Sequence, residues 1–138
     1  MKVRVFCVGR LKEEFYREAC AEYVKRLNRV EVIELRDSTP EGEAEEILKR
    51  LKDDFLVVLD ETGEEKTSEG FAQFIGGRSG GITFVIGGPD GTSDKLKKRA
   101  NLMMSMSKMT FPHELARLVL LEQVYRAQMI NQNRKYHR

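Results

Sequence analysis

The stretch Phe84–Gly91, FVIGGPDG, reads as a buried strand that runs straight into a glycine-rich turn. The strand begins at Ile82 and is apolar but for Thr83, as suits a central strand of a parallel sheet. Gly87 and Gly88 allow a close backbone approach, and Pro89-Asp90-Gly91 makes the turn. A tight strand-to-helix connection would account for the motif if it stood alone. A second run of the same character, Phe55–Asp60 (FLVVLD), ends in a carboxylate.

Working outward from these two runs, strand and helix signals alternate. Lys2–Val8 and Val30–Leu35 are strand-like. Lys12–Asn28 carries Leu11, Phe15, Ala19, Tyr23 and Leu27, or Tyr16 and Cys20, at helical spacing. DSTPEGEAEE offers a polar cap, an early proline and acids suited to a helix start, so a helix should run to about Lys52. Thr67 or Ser68 can cap a helix through Ile75, stopped by Gly76-Gly77. A polar helix over Ser93–Asn101 precedes the apolar segment LMMSMSKM. Pro112 then opens a long helix to about Ile130. Alternation of this sort predicts an α/β fold with a mainly parallel sheet flanked by helices, formed by residues 1–138 as one domain.

A phosphate site is the first reading to test for the glycine turn, and it fails. A dinucleotide fingerprint needs G-x-G-x-x-G after the first strand; here the pattern is G-G-P-D-G after the fourth, with Asp90 inside it to repel an anion. Cys7 and Cys20 lack metal or redox spacing and read as reduced, partly buried thiols of a cytosolic protein, so no metal site is expected. No apolar run approaches the roughly 18–20 residues that cross a bilayer, and the N-terminus starts a strand and not a signal peptide. The localisation expected is cytoplasmic.

The net charge of +2 hides an asymmetry. Residues 1–91 carry 14 Lys/Arg against 19 Asp/Glu, whereas residues 92–138 carry 10 against 3. After Glu122 only the cations Arg126, Arg134, Lys135 and Arg138 follow. Such a tail suits local contact with a polyanion, or else a solvated terminus. The last helix is apolar round its circumference: Leu118–Leu121 (LVLL) joins Leu115, Val124, Tyr125 and Met129. Either a second copy of the chain covers the excess face, or the helix is wholly internal.

Several blocks together carry a resemblance: VGRLKEEFYREACAEYVKRL (Val8–Leu27), LVVLDETG (Leu56–Gly63), ITFVIGGPDG (Ile82–Gly91), SMSKMTFPHELARLVLLEQVYRA (Ser105–Ala127) and the terminal YHR. Over almost its whole length the chain resembles the SPOUT-class methyltransferases with a C-terminal trefoil knot, and among them the RlmH-type enzymes. The resemblance implies methylation of N3 of a pseudouridine in large-subunit (23S) ribosomal RNA, on the assembled ribosome, by a homodimer joined through its C-terminal helix. It implies S-adenosylmethionine (AdoMet) as cofactor and S-adenosylhomocysteine as product. The cofactor would sit among three loops: Leu59 and Asp60; Gly87, Gly88 and Gly91; and Met106, Ser107, Lys108, Met109, Thr110 and Phe111.

Uracil N3–H must be lost at or before transfer, to a base or with cations stabilising the anion. His113, Arg117, Tyr136, His137 and Arg138 are the candidates, the first four for catalysis. A neutral His113 in a helix's first turn can take a proton or serve as a structural hydrogen-bonding group. Tyr136 suits base stacking, while Arg134, Lys135 and Arg138 suit phosphate. The chain departs from the family pattern in a shorter Asp37–Glu43 region, in Glu114 after His113, and in Lys135 before Tyr136-His137. A non-catalytic RNA-binding domain, or the same chemistry on another base, are the competing functions.

Overall fold

The computed structural model describes residues 2–136. In chain order it contains β1 (Val3–Val8), α1 (Glu14–Arg26), β2 (Val30–Leu35), α2 (Pro40–Arg50), β3 (Phe55–Glu65), α3 (Ser68–Gly76), β4 (Ile82–Ile86), α4 (Asp94–Arg99), β5 (Leu102–Ser105) and α5 (His113–Asn131). The five strands form one parallel sheet in the order β2-β1-β4-β3-β5. The α/β expectation is met, and the strand that opens into the glycine turn lies at the sheet's centre with all its residues buried.

Side-chain alternation divides the core into two layers. Val3, Val5, Cys7, Val57, Ile82, Phe84 and Ile86 face α1, α3 and α5. Phe6, Leu56, Val58 and Val85 face α2 and α4 on the other side. Cys7 and Cys20 are buried reduced thiols, and burial pushes the Cys7 thiol up to about 12, so it stays protonated and packs as a small apolar group.

Local chemistry sets the helix starts. Thr39 accepts from the Gly42 N–H at 3.0 Å with Pro40 in the first turn, Thr67 from Gly70 at 2.9 Å, and Ser93 from Leu96 at 3.2 Å. Helix α2 stops at Arg50, short of the expected Lys52, which instead takes positive φ. In α1 the inward face is Tyr16, Cys20, Tyr23 and Leu27, while Phe15 is 63% exposed. Its N-terminus is capped from afar: the buried Glu114 of α5 accepts from the Lys12 and Glu13 N–H groups at 2.9 and 3.3 Å.

The largest departure from expectation is the length of β3. It runs five residues past Asp60, and both Leu59 and Glu64 pair with Met104 of β5. The intervening Asp60–Gly63 therefore bulges out of the ladder and returns to it. A bulge re-aims side chains at the strand end, and this one carries two carboxylates, Asp60 and Glu61, to the end of the sheet where the strand C-termini gather.

Candidate functional site

A cleft of about 490 Å³ opens beyond the C-terminal ends of β3, β4 and β5, the usual ligand position in an open parallel sheet. The β3 bulge supplies Leu59, Asp60 and Glu61; the turn after β4 supplies Gly87, Gly88, Pro89, Gly91 and Thr92; the segment after β5 supplies Met106, Ser107 and Met109–His113. Lys97 of α4 and Met104 complete the wall. All three sequence-nominated loops converge here, and every nominated cofactor residue lines the cleft except Lys108, whose side chain is in solvent. Met109, although it borders the cleft, is 77% exposed.

The polar groups are fixed in place. Asp60 accepts from both the N–H and the hydroxyl of Thr62, at 2.8 and 2.6 Å, and pairs with Lys97 Nζ at 3.1 Å. The Thr62 hydrogen bonds, followed by Lys97, hold its carboxyl below the usual range. Thr110 donates to Glu61 at 2.6 Å, tying the loop after β5 to the β3 bulge. Within that loop, Ser105 donates to the Ser107 carbonyl at 2.8 Å, and the Met109 N–H donates to the Ser107 hydroxyl at 3.0 Å.

The glycines explain themselves by contacts within the protein. A Cβ on Gly87 would stand 2.6 Å from Thr92 Oγ1 and 3.1 Å from the Gly91 carbonyl carbon; one on Gly88 would meet Val8 Cγ1 at 2.9 Å. Gly91 has φ of 82°, a left-handed value. The turn closes on itself, with the Gly91 N–H donating to the Gly88 carbonyl at 3.0 Å.

The remaining nominated residues divide. His113 lies at the head of α5, in a wall shared by the cleft and a second cavity of about 800 Å³ between α1 and the ends of β1 and β2. Arg117 lines only that second cavity. It is 4% exposed, and its guanidinium donates to Glu34 at 2.6 Å and to the Gly9 carbonyl at 3.1 Å. Tyr136 lies in neither cavity: its hydroxyl donates to Glu122 at 3.0 Å and meets the Tyr23 hydroxyl at 3.2 Å, while its ring packs edge-on to Tyr125 and under Arg126. Burial first, then these two hydrogen bonds, push its phenol well up. Arg134 and Lys135 are exposed just beyond α5; His137 and Arg138 lie outside the described residues.

Sequence reasoning did not single out Glu61, Lys97 or Thr92, and it noted Glu114 only as a departure from the family pattern, not as the cap of α1. Glu61 adjoins a nominated residue, but the bulge that aims it leaves no periodic signal. Among the described residues, no group of three or more His, Cys, Asp or Glu side chains is placed to hold a metal ion, and no helix is long and apolar enough to cross a membrane.

The family to which this fold and cleft belong is the SPOUT class of methyltransferases. The family described as "Predicted SPOUT methyltransferase" matches residues 1–137, and the chain belongs to it. Over its whole length the chain is also similar to proteins named "Ribosomal RNA large subunit methyltransferase H". That of Synechococcus sp. (strain RCC307) is 47% identical, with 99% of this chain and 95% of the relative covered. That of Lactobacillus delbrueckii subsp. bulgaricus is 44% identical, with both chains covered completely. Among solved structures, the SpoU methyltransferase AviRb from Streptomyces viridochromogenes, in complex with AdoMet, shares the fold at TM-score 0.56 and 12% identity, covering 93% of this chain and 58% of that one. A probable methylase family protein from Haemophilus influenzae does so at TM-score 0.61 and 11% identity, covering 95% and 66%.

Proposed function

We propose that this chain is an AdoMet-dependent methyltransferase of large-subunit ribosomal RNA, acting on N3 of a pseudouridine in the assembled ribosome, as a knotted homodimer in the cytoplasm. The observation that carries this reading is the three-loop cleft at the ends of β3, β4 and β5. Its volume suits a cofactor-sized ligand. Leu59, Met106 and Phe111 offer apolar walls to an adenine, the Gly87–Thr92 turn offers backbone groups, and the Asp60 and Glu61 carboxylates suit a cationic ligand. AdoMet would supply the methyl group. RNA as acceptor is supported by the name the full-length relatives share, and pseudouridine N3 by the resemblance of the Ser105–Ala127 block.

His113 is the described residue best placed to handle the N3 proton, because among the described residues nominated for that role it alone borders the cleft. Arg117 acts through position: by joining Glu34 and the Gly9 carbonyl it fixes the first turns of α5, and hence His113, against the ends of β1 and β2. The test is calorimetric titration with AdoMet, followed by methyl transfer to ribosomes from a strain lacking the gene and mapping of the methylated nucleotide. Absence of binding at millimolar AdoMet defeats the enzyme reading, and a methyl group on another base defeats the substrate.

The dimer has its own test. Leu120, Leu121 and Val124 pack inside this chain's own core, so substitution of Leu121 would report folding. Leu115, Val119 and Met129 recur on the opposite side of α5 and stay partly exposed. Val119→Lys should therefore give a folded monomer by sedimentation, with AdoMet bound but RNA methylation lost. An unchanged, active dimer would remove α5 from the interface.

A further inference from the structure

The cationic excess of the C-terminal third is only partly in its tail. Lys95, Lys97, Lys98 and Arg99 crowd into α4, a helix of six residues. Leu96 is buried in the layer that faces α2, and Lys97 turns to Asp60 in the cleft wall. Lys95, Lys98 and Arg99 are related by i, i+3 and i+4, which places them on one side of the helix. All three are exposed, and among the described residues none of them enters an ion pair.

Local helix electrostatics do not explain the cluster. Cations in a last turn complement the helix dipole, which would suit Lys98 and Arg99. Lys95 is the second residue of α4, where a cation faces the positive end. No acid occurs from Lys95 to His113, and the cleft acids Asp60 and Glu61 are held by Lys97 and Thr110. Arg99 also borders a recess of about 290 Å³ with Lys52 and Arg78, whose guanidinium lies 3.8 Å over the Phe55 ring. Two acids share that recess: Asp54 is engaged by Arg4 and Thr83, and Asp53 is exposed. The line of cations thus starts beside the cleft, where Lys97 forms part of the wall, and leads away from it. Helix α4 itself lies on the opposite face of the sheet from α5, so a dimer formed through α5 leaves its cations open.

We propose that the exposed face of α4, Lys95, Lys98 and Arg99, binds ribosomal RNA phosphates and holds the nucleic acid across the mouth of the cleft. This rests on the RNA reading above and adds a contact surface distinct from the C-terminal tail. Phosphate contact is electrostatic, so each neutralised phosphate adds about 0.7–0.9 to the slope of log affinity against log salt. The test compares the wild-type chain with Lys95→Gln/Lys98→Gln/Arg99→Gln, using ribosomes from the gene-deleted strain and following binding, methyl transfer and AdoMet affinity. The expected result is roughly tenfold or more weaker ribosome binding and a salt slope lower by about 2–3, with AdoMet affinity and kcat unchanged. Lys95→Arg/Lys98→Arg/Arg99→Lys, which keeps the charge, should bind as wild type. A glutamine variant with wild-type KM and salt slope overturns the proposal. A wrong reading of the chemistry shows instead in the wild-type chain, as absence of methyl transfer to these ribosomes.

Discussion

Gly63→Ala should lower the stability of this protein by about 3 kcal/mol or more, a large part of the ~5–15 kcal/mol that holds a domain together. Gly63 is the last residue of the β3 bulge, where the strand rejoins β5. A Cβ built there would lie 2.5 Å from both the carbonyl carbon and the oxygen of Met103 and 2.7 Å from the Met104 nitrogen. All three are backbone atoms, so no side chain can rotate away. The only relief is to part β3 from β5, which also shifts Met104 and Asp60 in the cleft wall. Urea unfolding followed by circular dichroism measures the effect, and the AdoMet affinity of the folded fraction should fall with it. Gly80→Ala is the control: nothing lies within 4 Å of its Cβ position, and its cost should stay within about 0.5 kcal/mol. Equal midpoints for the two variants would show that the strands pass each other more loosely than these contacts require.

What could be read from the sequence follows how local each signal is. Ile82–Ile86 is apolar except for Thr83 because both of its faces are covered, and it is followed by glycines, so strand and turn were both evident. The caps at Thr39 and Thr67 act within three residues, and a polar cap in DSTPEGEAEE and Thr67 or Ser68 as a cap were correspondingly legible. The β3 extension was not: Asp60–Glu65 is polar, does not alternate, and is a strand only because β5 lies beside it. The cap that Glu114 gives α1 spans about a hundred residues, and the Arg117–Glu34 pair spans 83; no local pattern announces either. Arg117 illustrates the consequence. Its residue type nominated it for chemistry, while in the fold its guanidinium bonds Glu34 and the Gly9 carbonyl. The strand order also lacks a local signal, since each helix crossover could seat the next strand on more than one neighbour. At the cleft, the resemblance of whole blocks brought the three loops together, but Glu61 and Lys97 reach it through the bulge and through α4, whose geometry no motif encodes.

Gly87→Ala should weaken AdoMet binding by roughly tenfold to a hundredfold, and Thr92→Ala in the same chain should restore part of the loss. Glycine at a ligand-binding turn invites the explanation that a side chain would collide with the ligand. The contacts here give another: the added Cβ would press first on Thr92 Oγ1 at 2.6 Å, and then on the Gly91 backbone at 3.1–3.2 Å. Either strain displaces the Gly88–Thr92 limb that lines the cleft, at a cost of about 1–3 kcal/mol, which is the stated range in affinity. Removing the threonine hydroxyl relieves the closer contact and leaves the backbone one, so rescue should be incomplete. The two substitutions should therefore be strongly non-additive in a double-mutant cycle. If the glycine were present only to admit the ligand, Thr92→Ala would not help, and the two losses would add. Titration of the four proteins with AdoMet decides between an opening kept for the cofactor and a turn that must first fit itself.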